Sequence, residues 1–269
     1  MNILDKFGFK EVCDVCLYNI DHTTGDPTNP VLFLDTLKIS TIETNCQQTD
    51  ATGGQGNGVL LSWDYGKDIV VNFSDALFSM KSLSVLNGTA VVESENGIVR
   101  QGIEFGGTRV PNTFIGPNGK RHFIPSDRII YDPEGHVVEE QDLQSDQKYI
   151  MCFTLTPRHF YGVPVTARDF PGVYYMVGET IARNLKNNED EFCQLIIPKI
   201  KIYNDFNFEL TSSDPTVFSF RGRALSTSEK RMMSLVKYDV DELQGNMLFD
   251  NSSVQLYSSL DERLLVRFR

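Results

Sequence analysis

The chain has 269 residues, 36 acidic against 25 basic, a formal net charge of −11 and an apolar share of 41%. That length suits one or two domains or one large all-β unit, and the apolar share excludes a disordered tail. No run approaches the roughly 18 apolar residues of a membrane helix, and the acidity disfavours tight binding to a nucleic-acid backbone.

Residues 1–10 show no basic region followed by a long apolar block, so no secretory signal is expected. The run 12–20 reads as a strand. It contains Cys13 and Cys16, a spacing used in zinc sites, but residues three apart on a strand point to opposite faces and no second such pair exists. Five cysteines scattered over the chain predict reduced thiols rather than a disulfide framework. Val31-Leu32-Phe33-Leu34 is a further strand. Next comes Gly53-Gly54-Gln55-Gly56-Asn57-Gly58, which lacks the dinucleotide fingerprint and precedes a strand-like run, Val59-Leu60-Leu61-Ser62-Trp63, rather than a helix. Two readings stand: a flexible loop or hairpin tip, or backbone that approaches a neighbouring chain closely. Trp63, the single tryptophan, suits either a core or an interface.

Ile69, Val71 and Phe73 alternate with more polar positions, as a half-buried strand does. A helix is predicted over about 75–87, with Ser74 or Asp75 as its cap, Ala76, Leu77, Met80, Leu83 and Leu86 on its apolar face, and Gly88 as its stop. The stretch 102–147 is rich in turn signals, among them Gly116-Pro117-Asn118-Gly119 and Asp132-Pro133-Glu134-Gly135. Hairpins are predicted over 113–124 and 129–139, in an insertion lying on the main body or on a neighbouring subunit.

The run 193–203 carries Leu195 and Ile197 on one side and Ile196, Ile200 and Ile202 on the other, which predicts a strand buried on both faces. Alternation marks strands at 206–210 and 218–222. Arg221 and Arg223 share one face of the latter, placed to meet carboxylates of an adjacent subunit or of the same chain. The stretch 226–236 reads as a weak helix, with a strand over 232–238 as the competing reading. The predicted fold is all-β, mainly antiparallel: a β-sandwich or barrel in a single domain, 1–269, with one packed helix and the 102–147 insertion.

Enzyme signatures are missing: no Gly-x-Ser-x-Gly elbow, no His-Glu-x-x-His, no phosphate loop. The four histidines form no ligand-spaced pair, and Glu189-Asp190-Glu191 lacks the alternation of a calcium loop. No catalytic residue, metal or cofactor is expected. Three Asn-x-Ser/Thr triplets, at Asn72, Asn87 and Asn251, carry no weight without secretion.

Two stretches carry a likeness. One holds Phe9-Lys10-Glu11-Val12, Pro30-Val31-Leu32-Phe33-Leu34-Asp35-Thr36-Leu37-Lys38, Ala51-Thr52-Gly53-Gly54-Gln55-Gly56-Asn57, Leu61-Ser62-Trp63-Asp64-Tyr65-Gly66-Lys67 and Ser74-Asp75-Ala76-Leu77-Phe78-Ser79. The other holds Pro171-Gly172-Val173-Tyr174, Gly178-Glu179-Thr180, Ile196-Ile197-Pro198-Lys199 and Asp214-Pro215-Thr216-Val217-Phe218. Over roughly 9–90 and 171–225 the chain resembles tailed-bacteriophage virion structural proteins, most like major tail or tail-tube subunits. The resemblance implies a non-enzymatic virion protein, made in the bacterial host cytoplasm. Its subunits would join into rings, and the rings would stack into a tube that conducts DNA. The implied partners are identical subunits, other virion proteins, and genomic DNA passing without sequence-specific contact. Candidate contact residues are Gly53, Gly54, Gln55, Gly56, Asn57, Gly58, Trp63, Arg221 and Arg223. The alternative roles are a head–tail completion, baseplate or capsid-surface protein, and, outside this kind of particle, a carbohydrate-binding β-sandwich.

Overall fold

The computed structural model describes residues 6–95, 97–208, 217–238, 249–250 and 253–254. The end of the expected 206–210 strand, the Asp214-Pro215-Thr216 part of the likeness and the Asn251 triplet lie outside them. The chain divides into two compact units, one of residues 1–90 with 163–269 and one of Val91–Gly162. The expected 102–147 insertion falls inside the second.

In chain order the first unit begins with β1 (Phe7–Phe9), β2 (Asp14–Ile20), β3 (Pro27–Leu34), β4 (Leu37–Gly53), β5 (Gly58–Asp75) and the helix α1 (Met80–Asn87). The second unit holds β6 (Val92–Ser94), β7 (Val99–Gly106), β8 (Thr113–Ile115), β9 (Arg121–Phe123), β10 (Ile129–Tyr131), β11 (Lys148–Leu155) and β12 (Phe160–Gly162). The first unit resumes with β13 (Val173–Asn184), β14 (Asp190–Ile202), β15 (Asn207–Phe208), β16 (Phe218–Ala224), β17 (Ser234–Tyr238) and the short pair β18 (Phe249–Asp250) and β19 (Ser253–Val254). Among the described residues the fold is mostly antiparallel β with one α-helix, as predicted.

The main sheet runs in the order β3-β2-β13-β14-β16-β5-β4, with β1 beside β13, β15 beside β16 and β17 beside β14. Its apolar positions gather into one cluster that includes Val15, Leu17, Leu34, Val71, Phe73, Met176, Ile197, Ile200 and Phe220. Residues from both halves of the sheet meet there, so the sheet curls around a shared core. Each fully buried side chain of this size contributes about 1.5–3 kcal/mol. A smaller cluster, Cys16, Tyr18 and Val177, lies on the other face of β2 and β13. Cys13 packs against the main cluster while Cys16 belongs to the small one. The two thiols therefore do not converge, and burial pushes both pKa values up.

The expectation of a strand apolar on both faces is corrected by β14. Tyr174 opposes Ile200 and Met176 opposes Ile197, so β14 spends one extra residue at Pro198-Lys199. A one-residue insertion swaps the faces. Leu195 and Ile197 before it, and Ile200 and Ile202 after it, all enter the same core, while Ile196 is half-buried. Pro198 sits at the bulge, where a missing N–H is tolerated. Over the disputed 226–238 stretch the strand reading holds, since β17 pairs with β14 from Ser234 to Tyr238.

The helix starts later than predicted. Asp75 is the last residue of β5, paired with Leu37 and Phe218, and its buried carboxylate accepts from Thr36 Oγ1 (2.5 Å) and the Leu77 N–H (3.2 Å). Those bonds hold the chain extended, and Ser79 becomes the cap, accepting from the Ser82 N–H at 2.9 Å. Leu77 is left exposed. The predicted stop at Gly88 is present: its φ is 66°, the Thr89 N–H reaches the Ser84 carbonyl (3.0 Å) and the Gly88 N–H that of Val85 (3.3 Å).

The second unit has its own core, built from Phe105, Ile124, Ile130, Leu143, Tyr149, Met151 and Phe153. A three-stranded sheet, β10-β11-β7, supplies most of it. Both predicted hairpins are found. β8 pairs with β9, and in the 129–139 turn the Val138 N–H donates to the Ile130 carbonyl and the Asp132 N–H to that of His136, each at 2.9 Å. The entry strand β6 pairs with the exit strand β12, which brings the two ends of the unit together.

Two stability predictions follow from this geometry. A Cβ at Gly88 would lie 2.1 Å from the Phe170 carbonyl oxygen. With its left-handed φ, Gly88→Ala should cost at least about 2 kcal/mol in chemical denaturation. At the start of β2, burial and then the like charges of Asp35, Glu179 and Glu11 push the Asp14 pKa up. A raised carboxyl pKa disfavours the folded state above that pKa, and the penalty vanishes once pH falls below the unfolded value of about 4. Asp14→Asn should therefore raise the melting temperature at pH 7 and leave it unchanged near pH 3.

Candidate functional site

β4 and β5 are joined by a tight turn into one long hairpin, of 17 and 18 residues. Among the described residues only the inner end of β5, Val70 to Asp75, has a second neighbour, β16. Beyond it, among the described residues, the two strands pair solely with each other, from Thr44–Ile69 out to Gly53–Gly58. The ribbon past Gly66 is thus an arm roughly 25 Å long at a strand rise of ~3.3 Å per residue. β4 is the last strand of the sheet, so among the described residues its outer edge is unpaired along its whole length.

The glycine-rich string forms the tip. Gly53 closes β4 and Gly58 opens β5; between them Gly54 (φ 78°), Gly56 (φ 90°) and Asn57 (φ 51°) take left-handed backbone, and the Asn57 N–H donates to the Gly54 carbonyl at 3.1 Å. Glycine adopts these angles without penalty, which is what so abrupt a reversal requires. Gln55 stands exposed between them.

Trp63 is 52% exposed, so of its two readings the core is excluded. It lies opposite Thr49, with Leu61 opposite Ala51 and Tyr65 opposite Gln47, so the three large side chains share one face of the ribbon. Leu60 is an extra residue at a second bulge, and its Cδ1 lies 3.3 Å from where a Cβ on Gly53 would sit, on that same side. The other face carries Gln48, Asp50, Ser62 and Asp64. The arm is amphipathic, yet Leu60, Leu61, Trp63 and Tyr65 all remain exposed.

A bulge decides which side the stripe occupies. Asn45 opposes Asp68 and Gln47 opposes Tyr65, so β5 has one residue too many around Gly66, whose φ is 62°. Inside this bulge the core residues Ile69, Val71 and Phe73 oppose Thr44, Ile42 and Ser40. Outside it the apolar residues oppose the odd positions of β4, the face turned away from the core.

Arg221 and Arg223 lie apart from the tip, on the outward face of β16. Arg221 pairs with Asp205 and stacks its guanidinium 5.0 Å over the Tyr203 ring. Arg223 reaches Asp68 at 2.6 Å, bracing the root of the arm. The same-chain reading of these arginines is the one the structure displays, and each carboxylate raises the pKa of its arginine. Exposed pairs of this kind are screened by solvent and add little to stability. Asp190, from the acidic string, accepts from Arg183 and Lys10, which hold its pKa down at about 2. That string closes the β13–β14 hairpin.

An open depression of about 380 Å³ beside β16 is lined by Asn72, Ser74, Ser219, Asp205 and Arg221. Its one carboxylate is the one held by Arg221, whereas glycoside hydrolysis uses two. Among the described residues no group of three or more His, Cys, Asp or Glu is placed to hold a metal, and no helix is long and apolar enough to cross a membrane. Sequence reasoning found the tip and Trp63 but missed the stripe around it. The signal was present in the alternation of Leu61, Trp63 and Tyr65 with Ser62 and Asp64.

The model of the YomU/Tube protein family matches residues 7–107 and 131–236. No curated protein matches the chain. The chain belongs to the YomU/Tube protein family.

Because Trp63 is the only tryptophan, its emission reports on the arm alone. The isolated chain should show solvent-like, readily acrylamide-quenched fluorescence; a blue, protected emission from a verified monomer would contradict the exposed arm.

Proposed function

We propose that this member of the YomU/Tube family is a non-enzymatic subunit of a bacteriophage-type tail tube, whose copies join into rings and whose rings stack around a passage for DNA. The observation that carries this reading is the arm: a long ribbon whose edge is unpaired among the described residues and whose apolar stripe stands exposed. Free edges and uncovered apolar faces invite chance aggregation unless a defined partner completes them. A head-to-tail contact between copies completes them, and it closes into a ring when its rotation divides a full turn. Strand addition at the β4 edge supplies backbone hydrogen bonds, and the stripe supplies apolar burial.

The acidic balance of the chain suits a conduit, because a negative wall repels the DNA phosphates and lets the polymer slide. The contact residues in this reading are the tip, Gly53 to Gly58, together with Trp63; Arg221 and Arg223 brace the subunit from within. The self-contained second unit favours a second reading, a head–tail completion or baseplate protein, since a plain tube needs no such addition.

Negative-stain microscopy of the chain expressed alone separates the two. Uniform rings or tubes are expected for a tube subunit, and a persistent monomer at high concentration would refute it in favour of a part that needs a platform. Within assembling material, Leu61→Ser with Trp63→Ser should abolish rings while changing monomer stability by no more than about 0.5 kcal/mol, as for exposed sites. Bulky β-branched residues at Gly54 and Gly56 should impair assembly more than folding.

A further inference from the structure

Beside the β13–β14 turn, side chains from three neighbouring strands meet. Glu191 lies on β14, on the same face as Leu195 and Ile197 of the core. Ala182 of β13 opposes it, and Lys237 of β17 opposes Cys193, two residues further along β14. Asn184 ends β13 and opposes Phe7 of β1. One carboxylate therefore stands between an amine and a carboxamide. Glu191 Oε2 pairs with Lys237 Nζ, and Glu191 Oε1 accepts from Asn184 Nδ2 at 3.3 Å.

The carboxamide is held in one orientation. Its Nδ2 donates to the carboxylate while its Oδ1 accepts from the Lys186 N–H at 2.9 Å, the bond that also shapes the turn. Asn184 is only 7% exposed, and the side chains of Lys237 and Glu191 are each 21% exposed. The Phe7 ring lies 5.9 Å from Lys237 Nζ, and Phe9 packs edge-on against Phe7, so aromatic carbon covers one side of the amine. A bracing ion pair needs neither the buried carboxamide nor the donor on its oxygen. An amine, a carbonyl whose oxygen meets an N–H, and a carboxylate touching both nitrogens are the parts of an acyl transfer.

We propose that Lys237 and Asn184 become joined by an isopeptide bond, formed once by the folded chain on itself with Glu191 as the proton shuttle. Glu191 takes a proton from the Lys237 ammonium, and the free amine attacks Asn184 Cγ. The carbonyl electron pair moves onto Oδ1, where the Lys186 N–H stabilises the developing charge. Glu191 then gives its proton to Nδ2 and takes a second one from Nζ. The carbonyl re-forms, the Cγ–Nδ2 bond breaks, and ammonia leaves, carrying off the remaining proton as ammonium. One alkylammonium and one carboxamide become one secondary amide and one ammonium ion, with no change of oxidation state. The bond ties β17 to β13 across β14. It concerns the single chain, so it stands or falls apart from the tube reading.

Mass spectrometry of the purified full-length chain tests the bond. The intact mass should fall short of the sequence mass by one ammonia, and a tryptic digest should contain a branched peptide linking residue 237 to residue 184. Lys237→Arg keeps the ion pair but offers no nucleophilic amine, so it should show the full mass with an unchanged circular dichroism spectrum. Glu191→Gln should cut the rate of bond formation at least about 100-fold, the lower end of what a positioned acid–base group contributes. A folded wild type that retains its full mass after prolonged incubation would overturn the proposal. So would a loss of ammonia that survives Lys237→Arg, or that comes without the branched peptide, because ring closure at an asparagine elsewhere produces it. A bond that forms at the wild-type rate in Glu191→Gln would overturn the mechanism.

Discussion

A two-stranded ribbon that leaves its sheet has no second layer against which to bury a side chain, and apolar surface held in water is unfavourable by roughly 25 cal/mol per Å². The β4–β5 arm meets that constraint openly. Inside the Gly66 bulge its residues alternate between core and solvent, and Ile69, Val71 and Phe73 are buried. Outside it, every residue of β5 from Gly58 to Lys67 is exposed, among them Val59 and the four large side chains of the stripe, Leu60, Leu61, Trp63 and Tyr65. The rest of the first unit can be read from this asymmetry. The sheet, its core and the Arg223–Asp68 pair at the root form a platform, and the arm is what the platform presents.

Bulges, more than strand composition, decide where the apolar residues go. At Pro198-Lys199 an extra residue gathers isoleucines of both parities into one core, so a strand that looks two-sided is one-sided. At Gly66 an extra residue turns the stripe of the arm to the face away from the core. The two irregularities work in opposite directions. One conceals apolar surface that simple alternation would expose, and the other displays surface that alternation would send toward the core side.

This is also why the sequence was legible in part. Period-two patterns at Ile69–Phe73 and Phe218–Gly222, the Gly88 stop and the paired turns of the second unit depend on local chemistry, and each is found where it is read. The start of the helix depends on Asp75, a plausible cap by composition that is instead held in β5 by Thr36 and by pairing with two strands. The fate of Ile200 and Ile202 depends on register across β13, which no single strand encodes. At the site, the glycine string announces a reversal, and Trp63 announces a large aromatic needing an environment. Exposure of the stripe is a property of what lies beside it, and the absence of a neighbouring strand is not written in residues 59–65.

The energetics favour a closed or repeating assembly over a simple pair. Four side chains, each about half exposed, offer about 3–6 kcal/mol when covered, taking half of the ~1.5–3 kcal/mol per large apolar side chain. Association of two proteins costs about 4–15 kcal/mol in lost translational and rotational freedom. A single arm contact is therefore marginal. In a ring each copy both gives an arm and receives one, and the last contact closes without a further loss of freedom of that size. Contacts that fail in pairs then succeed together. In the proposed ring this gives a sharp concentration threshold, below which copies of net charge −11 would stay dispersed and above which they would assemble.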